Sequence, residues 1–264
     1  MLTEDQIKYK KLENLKCELY CDNFENFKRY GIPKAQLIIA DIPYNIGNNA
    51  YASNPSWYKD GEISNGESKL AGSNFFNRDE GFNVVNFMKF ARKLLIKEPK
   101  EAGKAPAMII FCSWQQMPML IEQAKKEGFK HAFPVFFIKP TSSQVLKANM
   151  RIVGATEFAL VIYRDKLPKF NNHGHMVLDH MKWEVDEGYP KIHPTQKPIP
   201  VLKRLISLFT DPGDVVIDPT AGSGSTLRAA AELQRNAYGF EVERDIYNKA
   251  ESKMLGSAEL NLIV

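Results

Sequence analysis

Two short stretches of this chain carry residues whose types and spacing can do chemistry. The first is ADIPYNIG, residues 40–47. Asp41 ends the apolar run QLIIA, and Pro43 and Tyr44 follow at once. Pro43 fixes its own φ and keeps Ile42 extended, so the Ile42 carbonyl can point outward. Asp41 adds a side-chain acceptor beside it. Two converging acceptors suit one NH2 group, and the Tyr44 ring offers a flat face to a planar heterocycle. The chemistry this suggests is recognition of the exocyclic amine of a base, which must leave its duplex to reach such a pocket. A strand-end Asp capping a turn beside a packed Tyr is the plainer alternative.

The second stretch is DVVIDPTAGSGSTLRAAAE, residues 214–232. An apolar strand ends at Asp218, and a small-residue turn from Ala221 through Gly222, Ser223 and Gly224 opens a helix. Glycines there let backbone N–H groups approach a ligand with no Cβ in the way. Some twenty residues on, AYGFE ends in Glu241, an acid placed to accept hydrogen bonds from ribose hydroxyls. The third glycine of a dinucleotide fingerprint is missing, because Leu227 stands there, and no lysine makes a P-loop. A neutral glycine loop with a ribose-binding acid suits a nucleoside without pyrophosphate. S-adenosylmethionine is the candidate, against the alternative of a purely structural turn.

Both stretches need parallel strands to deliver them to one rim. The apolar runs CELYC, QLIIAD, AMIIFCS, HAFPVFFI, EFALVIY, DVVIDP and AYGFEV read as seven strands. Helical patterns fall at roughly 81–97, 115–127, 199–210, 225–235 and 245–254. The alternation predicts a doubly wound, mostly parallel α/β sheet, covered on both faces. HAFPVFFI and EFALVIY have no helix between them, which predicts one antiparallel strand at a sheet edge. Residues 45–80 and 165–192 are long and irregular, and loops of that length tend to be functional or disordered.

Composition sets the outer bounds. The 264 residues suit one large domain, and 44% hydrophobic with 25% charged is ordinary for a globular protein. No apolar run is long enough to span a bilayer, and the charged N-terminal stretch lacks the core of a secretory signal, so a cytoplasmic location is expected. A net charge of +4 permits nucleic acid as a partner without demanding it. Cys17, Cys21 and Cys112 make no disulfide framework and read as reduced thiols. His173 and His175, with His180 near, lack accompanying Cys or carboxylate ligands, so no metal is expected.

On these residues the chain resembles DNA adenine-N6 methyltransferases of the beta group. DIPY resembles their DPPY motif, DPTAGSGST their cofactor loop, and HPTQKP, residues 193–198, the segment before that loop. CELYCDNFENF and GFEVERDIYNKA are similar to their adenine- and ribose-binding stretches. The catalytic motif precedes the cofactor loop, as in that group's permuted order. Ile42 departs from the family's first proline and Thr220 from a common phenylalanine. Cytosine-N4 enzymes usually carry Ser at the position of Asp41, so adenine is favoured.

The resemblance implies a single Rossmann-like methyltransferase domain over residues 1–264, with 45–80 as an active-site loop and 165–192 as a short target-recognition insertion. It implies that Asp41 and Ile42 hold the N6 amine while Pro43 shapes the turn and Tyr44 stacks on the base. Asp22 would contact the cofactor adenine, Thr195 and Lys197 the methionine carboxylate, and Asp218 with residues 221–224 the methionine and its amino group. Lys139, Lys147, Arg151 and Lys169 are candidate contacts to double-stranded DNA. The sequence leaves a homodimer open, and a restriction endonuclease partner would be a separate chain. Alternatives are a cytosine-N4 or RNA enzyme of the same fold, and a cofactor-binding module without catalysis.

Overall fold

The computed structural model describes residues 15–44, 82–142, 152–193 and 195–256. The loop over 45–80, Lys147 and Arg151 lie outside them. The chain runs β1 (Cys17–Tyr20), β2 (Leu37–Asp41), α1 (Val84–Leu94), β3 (Ala107–Cys112), α2 (Met117–Lys126), β4 (His131–Ile138), β5 (Thr156–Tyr163), β6 (His180–Lys182), α3 (Ile199–Phe209), β7 (Val215–Asp218), α4 (Ser225–Glu232), β8 (Asn236–Phe240) and α5 (Arg244–Lys249). No helix is long and apolar enough to cross a membrane among the described residues.

The eight strands form one sheet in the order β1-β8-β7-β2-β3-β5-β4-β6. Alternation along each strand separates two cores. Leu37, Ile39, Ile109 and Phe111 face α3 and α4, where Leu202, Leu205, Ile206, Leu227 and Ala230 are buried. Ile38, Ala40, Met108 and Ile110 face α1 and α2, where Phe87, Phe90, Leu94 and Leu120 are buried. Apolar side chains on both sides explain why β2 and β3 read as continuous apolar runs.

The doubly wound, mostly parallel sheet is as expected, with two differences in detail. An eighth strand, β6, pairs in parallel with β4 over three residues. The antiparallel strand is β5, which pairs with both β3 and β4 and so lies inside the sheet. Its inner position follows from its composition: Ala159 to Ile162 are all buried, as suits a strand with neighbours on both sides.

Strand order also sets the place of a ligand. β7 continues outward to β8 on one side, while β2 continues to β3 on the other, and β2 pairs with β7 in parallel. The crevice at such a switch point opens beyond the C-terminal ends of the strands. Asp41 ends β2 and Asp218 ends β7.

Candidate active site

The turn after β2 is held by β3, by β5 and by Gln116 just before α2. Ile42 is buried, and its N–H donates to the Phe111 carbonyl at 3.3 Å. A proline at this position would lack that N–H. Gln116 Nε2 donates to the Pro43 carbonyl at 2.8 Å, and Gln116 Oε1 accepts from the Ser113 N–H at 3.0 Å. The Tyr44 hydroxyl donates to Glu157 Oε2 at 2.9 Å, and Lys139 pairs with the other oxygen of Glu157.

Asp41 is divided between two environments. Its Oδ2 accepts from Lys197 Nζ at 2.7 Å. Its Oδ1 is sealed from solvent and has no hydrogen-bond partner among the described residues. An unpaired buried acceptor costs about 1–3 kcal/mol, so this oxygen is set for a donor that arrives from outside. Burial pushes the Asp41 carboxyl above the usual carboxylate range, Lys197 pulls it back, the Glu157 charge adds to the rise, and the nearby Tyr44 hydroxyl lowers it. Burial holds the Tyr44 phenol neutral, helped by the charges of Asp41 and Glu157. At Glu157 burial opposes the charge, but Lys197 and Lys139 outweigh it and keep the carboxyl below its ordinary value.

The glycine loop lies beside this turn. Gly222 and Gly224 take φ of +51° and +79°, in the left-handed region that favours glycine. The Ala221 N–H donates to the Phe240 carbonyl at 2.8 Å, and the Gly224 N–H to the Ala221 carbonyl at 2.8 Å, which fixes the loop against β8. Ser223 and Ser225 hydroxyls bond each other at 2.8 Å. Asp218 Oδ1 accepts from the Thr220 N–H at 2.9 Å, so Thr220 serves the strand-end acid. Burial pushes the Asp218 carboxyl up to about 7, against hydrogen bonds from Thr226 and Thr220. Glu241 is buried at the end of β8 and accepts from the Glu243 N–H at 2.6 Å. Burial raises its carboxyl too, while backbone amides of Glu243, Gly222 and Val242 favour its charge.

Neither Asp218 nor Glu241 has an ion-pair partner among the described residues. Buried acids without a cation are costly alone. They fit a ligand that brings an ammonium, a sulfonium and ribose hydroxyls. On this donor set the loop fits S-adenosylmethionine. Asp22 lies on the same rim past β1, but its oxygens already accept from Asn23 N–H, Asn26 Nδ2 and the Tyr30 hydroxyl, each at 2.7 Å.

The HPTQKP segment is clasped from outside. Asp186 accepts from the Ile199 N–H at 2.6 Å and from Gln196 Nε2 at 3.0 Å, anchoring the start of α3. Thr195 Oγ1 is 2.8 Å from His193 Nδ1. Lys197 reaches Asp41, although the resemblance directs it to the methionine carboxylate.

Two of the DNA candidates are engaged inside the molecule. Lys169 is 9% exposed, and its ammonium sits 2.7 Å from both Asp211 and Asp214. Asp214 precedes β7, so Lys169 lies on the rim opposite Asp218, where it is paired with two acids. Asn171 is there too, bonded to the Ser207 and Thr210 carbonyls. Because β5 descends, residues 165–171 of the expected recognition insertion run along that far rim, whereas Asp179 is already level with Phe136 near the other end of β4. His173 to His175 form a tight turn, with His175 N–H on the Asn172 carbonyl at 2.9 Å. Lys139, by contrast, is near the site but is committed to Glu157.

Sequence reasoning missed Gln116, Glu157 and Asp186, which lie in segments with no local signal for the site. Among the described residues no group of His, Cys, Asp and Glu could hold a metal. The cysteines are free, and burial pushes the Cys17 and Cys112 thiols up to about 11 and about 12.

A family model described as DNA methylase, N6_N4_Mtase, matches residues 35–252. The chain is similar to the DNA adenine methyltransferase YhdJ of Escherichia coli strain K12, with 26% identity over 235 residues, 86% of this chain and 78% of that protein. A 69-residue stretch, 26% of this chain and 21% of the relative, is 46% identical to the type II methyltransferase M.HindIII of Haemophilus influenzae. The solved complex of M1.HpyAVI with SAM superposes with a TM-score of 0.62 at 22% identity, covering 89% of this chain and 98% of that one. The cytosine-N4-specific PvuII DNA methyltransferase superposes with a TM-score of 0.65 at 16% identity, covering 89% and 84%. The fold is therefore shared with a cytosine-N4 enzyme, and the choice of base rests on the site.

Proposed function

We propose, from the premise that this chain belongs to the N6/N4 DNA methylase family, that it methylates N6 of an adenine turned out of double-stranded DNA. The observation that carries the amine-binding reading is Asp41 Oδ1, buried with no hydrogen-bond partner among the described residues, and an aspartate rather than a serine at this position favours adenine. The adenine specificity in the name of the Escherichia coli relative supports the same choice.

S-adenosylmethionine, when bound, supplies a methyl group activated on a sulfonium. The residues that would hold it are Asp218 and the turn from Ala221 to Gly224 for the amino acid part. Glu241 would take the ribose and Asp22 the adenine edge. The chain's own part in the chemistry is to position the amine. An N6 lone pair is delocalised into its ring and is a poor nucleophile. Hydrogen bonds from the two N6–H groups to Asp41 Oδ1 and the Ile42 carbonyl favour a more tetrahedral nitrogen. They also stabilise the positive charge that develops there. The proton that must leave afterwards is already directed at Asp41. Tyr44 holds the base plane, and positioning supplies much of the rate.

DNA contacts fall to the site rim. Trp114, 62% exposed just past β3, offers an aromatic face there. Residues 183–192, between β6 and the HPTQKP segment, are the part of the expected recognition insertion that returns to this rim. The test is incubation of the purified protein with methyl-labelled S-adenosylmethionine and unmethylated duplex DNA of mixed sequence, then digestion to nucleosides. Label in N6-methyladenine supports the reading, whereas label in N4-methylcytosine overturns the role given to Asp41.

A further inference from the structure

Lys197 stands out because the structure gives it a partner that the family resemblance does not. Its ammonium is 2.7 Å from Asp41 Oδ2 and lies over the rings of Tyr44 and Phe111, at 5.3 and 5.4 Å from their centroids. The side chain is buried, and it enters from the segment anchored by Asp186 and Pro198 at the start of α3. An ammonium over two ring faces, bonded to a carboxylate, is well held. A carboxylate has two oxygens, and Lys197 takes only Oδ2. Oδ1 is the atom left sealed, with no hydrogen-bond partner among the described residues.

We propose that Lys197 is a positioning residue for Asp41: it clamps the carboxylate through Oδ2 so that Oδ1 is presented, charged, to the incoming amine. The inference deepens the adenine-N6 reading and rests on it. Lys197 also meets a problem of charge. Asp41 is faced by Glu157 from β5, Asp218 from β7, Tyr44 from its own turn and Cys112 from β3. Burial and the neighbouring acids favour the protonated carboxyl, and a protonated Oδ1 would donate where it must accept. Lys197 opposes them by contact.

The alternative role, holding the methionine carboxylate, makes different predictions. Lys197→Gln and Lys197→Arg in the full chain separate them. S-adenosylhomocysteine affinity is measured by calorimetry, and single-turnover methylation at saturating S-adenosylmethionine is followed from pH 5.5 to 9. The clamp predicts that Lys197→Gln slows the single-turnover rate at pH 7 at least tenfold and moves its acid limb upward. S-adenosylhomocysteine affinity should change less than threefold, and Lys197→Arg should recover much of the rate. An unchanged rate and acid limb with tenfold weaker cofactor binding would overturn the clamp. A carboxyl NMR titration reads the pair without turnover: Asp41 should protonate at higher pH in Lys197→Gln than in wild type, and equal titration overturns the inference. Wild-type protein that methylates no adenine would instead remove the functional reading, while the titration still decides the pairing.

Discussion

The Tyr44 hydroxyl donates to Glu157 Oε2 at 2.9 Å, tying the turn after β2 to the one antiparallel strand of the sheet. Three elements meet at this bond, because Lys139, just past β4, holds the other oxygen of Glu157. A phenol bonded to a carboxylate has a fixed ring plane and a more electron-rich face. Tyr44→Phe and Glu157→Gln are each expected to lower kcat/KM about tenfold, on the order of 1.4 kcal/mol. Residues in one hydrogen-bond network are coupled, so the double substitution should cost no more than the larger single one. Additive losses in steady-state kinetics would mean that the two side chains act independently.

Asp218 links pH to stability. Its carboxyl is raised from 3.8 to about 7 by burial. Between these values the folded chain binds more protons than the unfolded one, so this group's contribution falls as pH rises through that window. Above it, the buried charge costs on the order of 4 kcal/mol. Asp218→Asn should therefore be more stable than wild type at pH 8 without cofactor, with the difference vanishing near pH 4. Denaturant melts at both pH values check this, and equal wild-type and variant stability at pH 8 would contradict it. The same substitution should weaken S-adenosylmethionine binding.

Gly239 is needed for space. A Cβ there would meet Leu227 Cδ1 at 2.7 Å and Ala221 Cβ at 3.0 Å. Leu227 belongs to α4 and Ala221 to the cofactor loop, so Gly239→Ala pushes both away from β8. Overpacking of this kind costs about 1–3 kcal/mol. Thermal unfolding should show that loss together with weaker S-adenosylhomocysteine binding by calorimetry. Unchanged stability and affinity would show that the loop can yield without consequence.

Lys169 should matter for folding and not for DNA. Removing its ammonium leaves Asp211 and Asp214 facing each other with one cation fewer. Lys169→Met is expected to destabilise the chain by about 2 kcal/mol, below the range for fully buried pairs because Asp211 is half exposed. DNA affinity in a salt titration should be unchanged; a reduced salt slope would restore Lys169 to the DNA surface.

Local signals in the sequence carried much of this. Seven apolar runs became seven strands because each is bounded by turn residues and all but β1 place buried side chains in a core. β6 escaped because three residues with one buried side chain, Met181, give no period to read. The inner place of β5 escaped because strand order is a long-range property. The same limit applies to the site. Asp41, Tyr44 and the glycine loop are visible as motifs, since their chemistry is local. Glu157 and Gln116 lie 113 and 73 residues from the atoms they hold. The burial of Lys169 was hidden for the converse reason: a lysine in a polar loop reads as surface until Asp211 and Asp214 are brought to it.

The most direct measurement compares wild type and Asp41→Ala at cofactor concentrations saturating for both, with nucleoside mass spectrometry of a duplex DNA product. The account predicts N6-methyladenine from wild type, at least a hundredfold less from Asp41→Ala, and near-equal S-adenosylhomocysteine affinity for the two proteins. Methylated cytosine from wild type, or N6-methyladenine from Asp41→Ala at an undiminished rate, would contradict it.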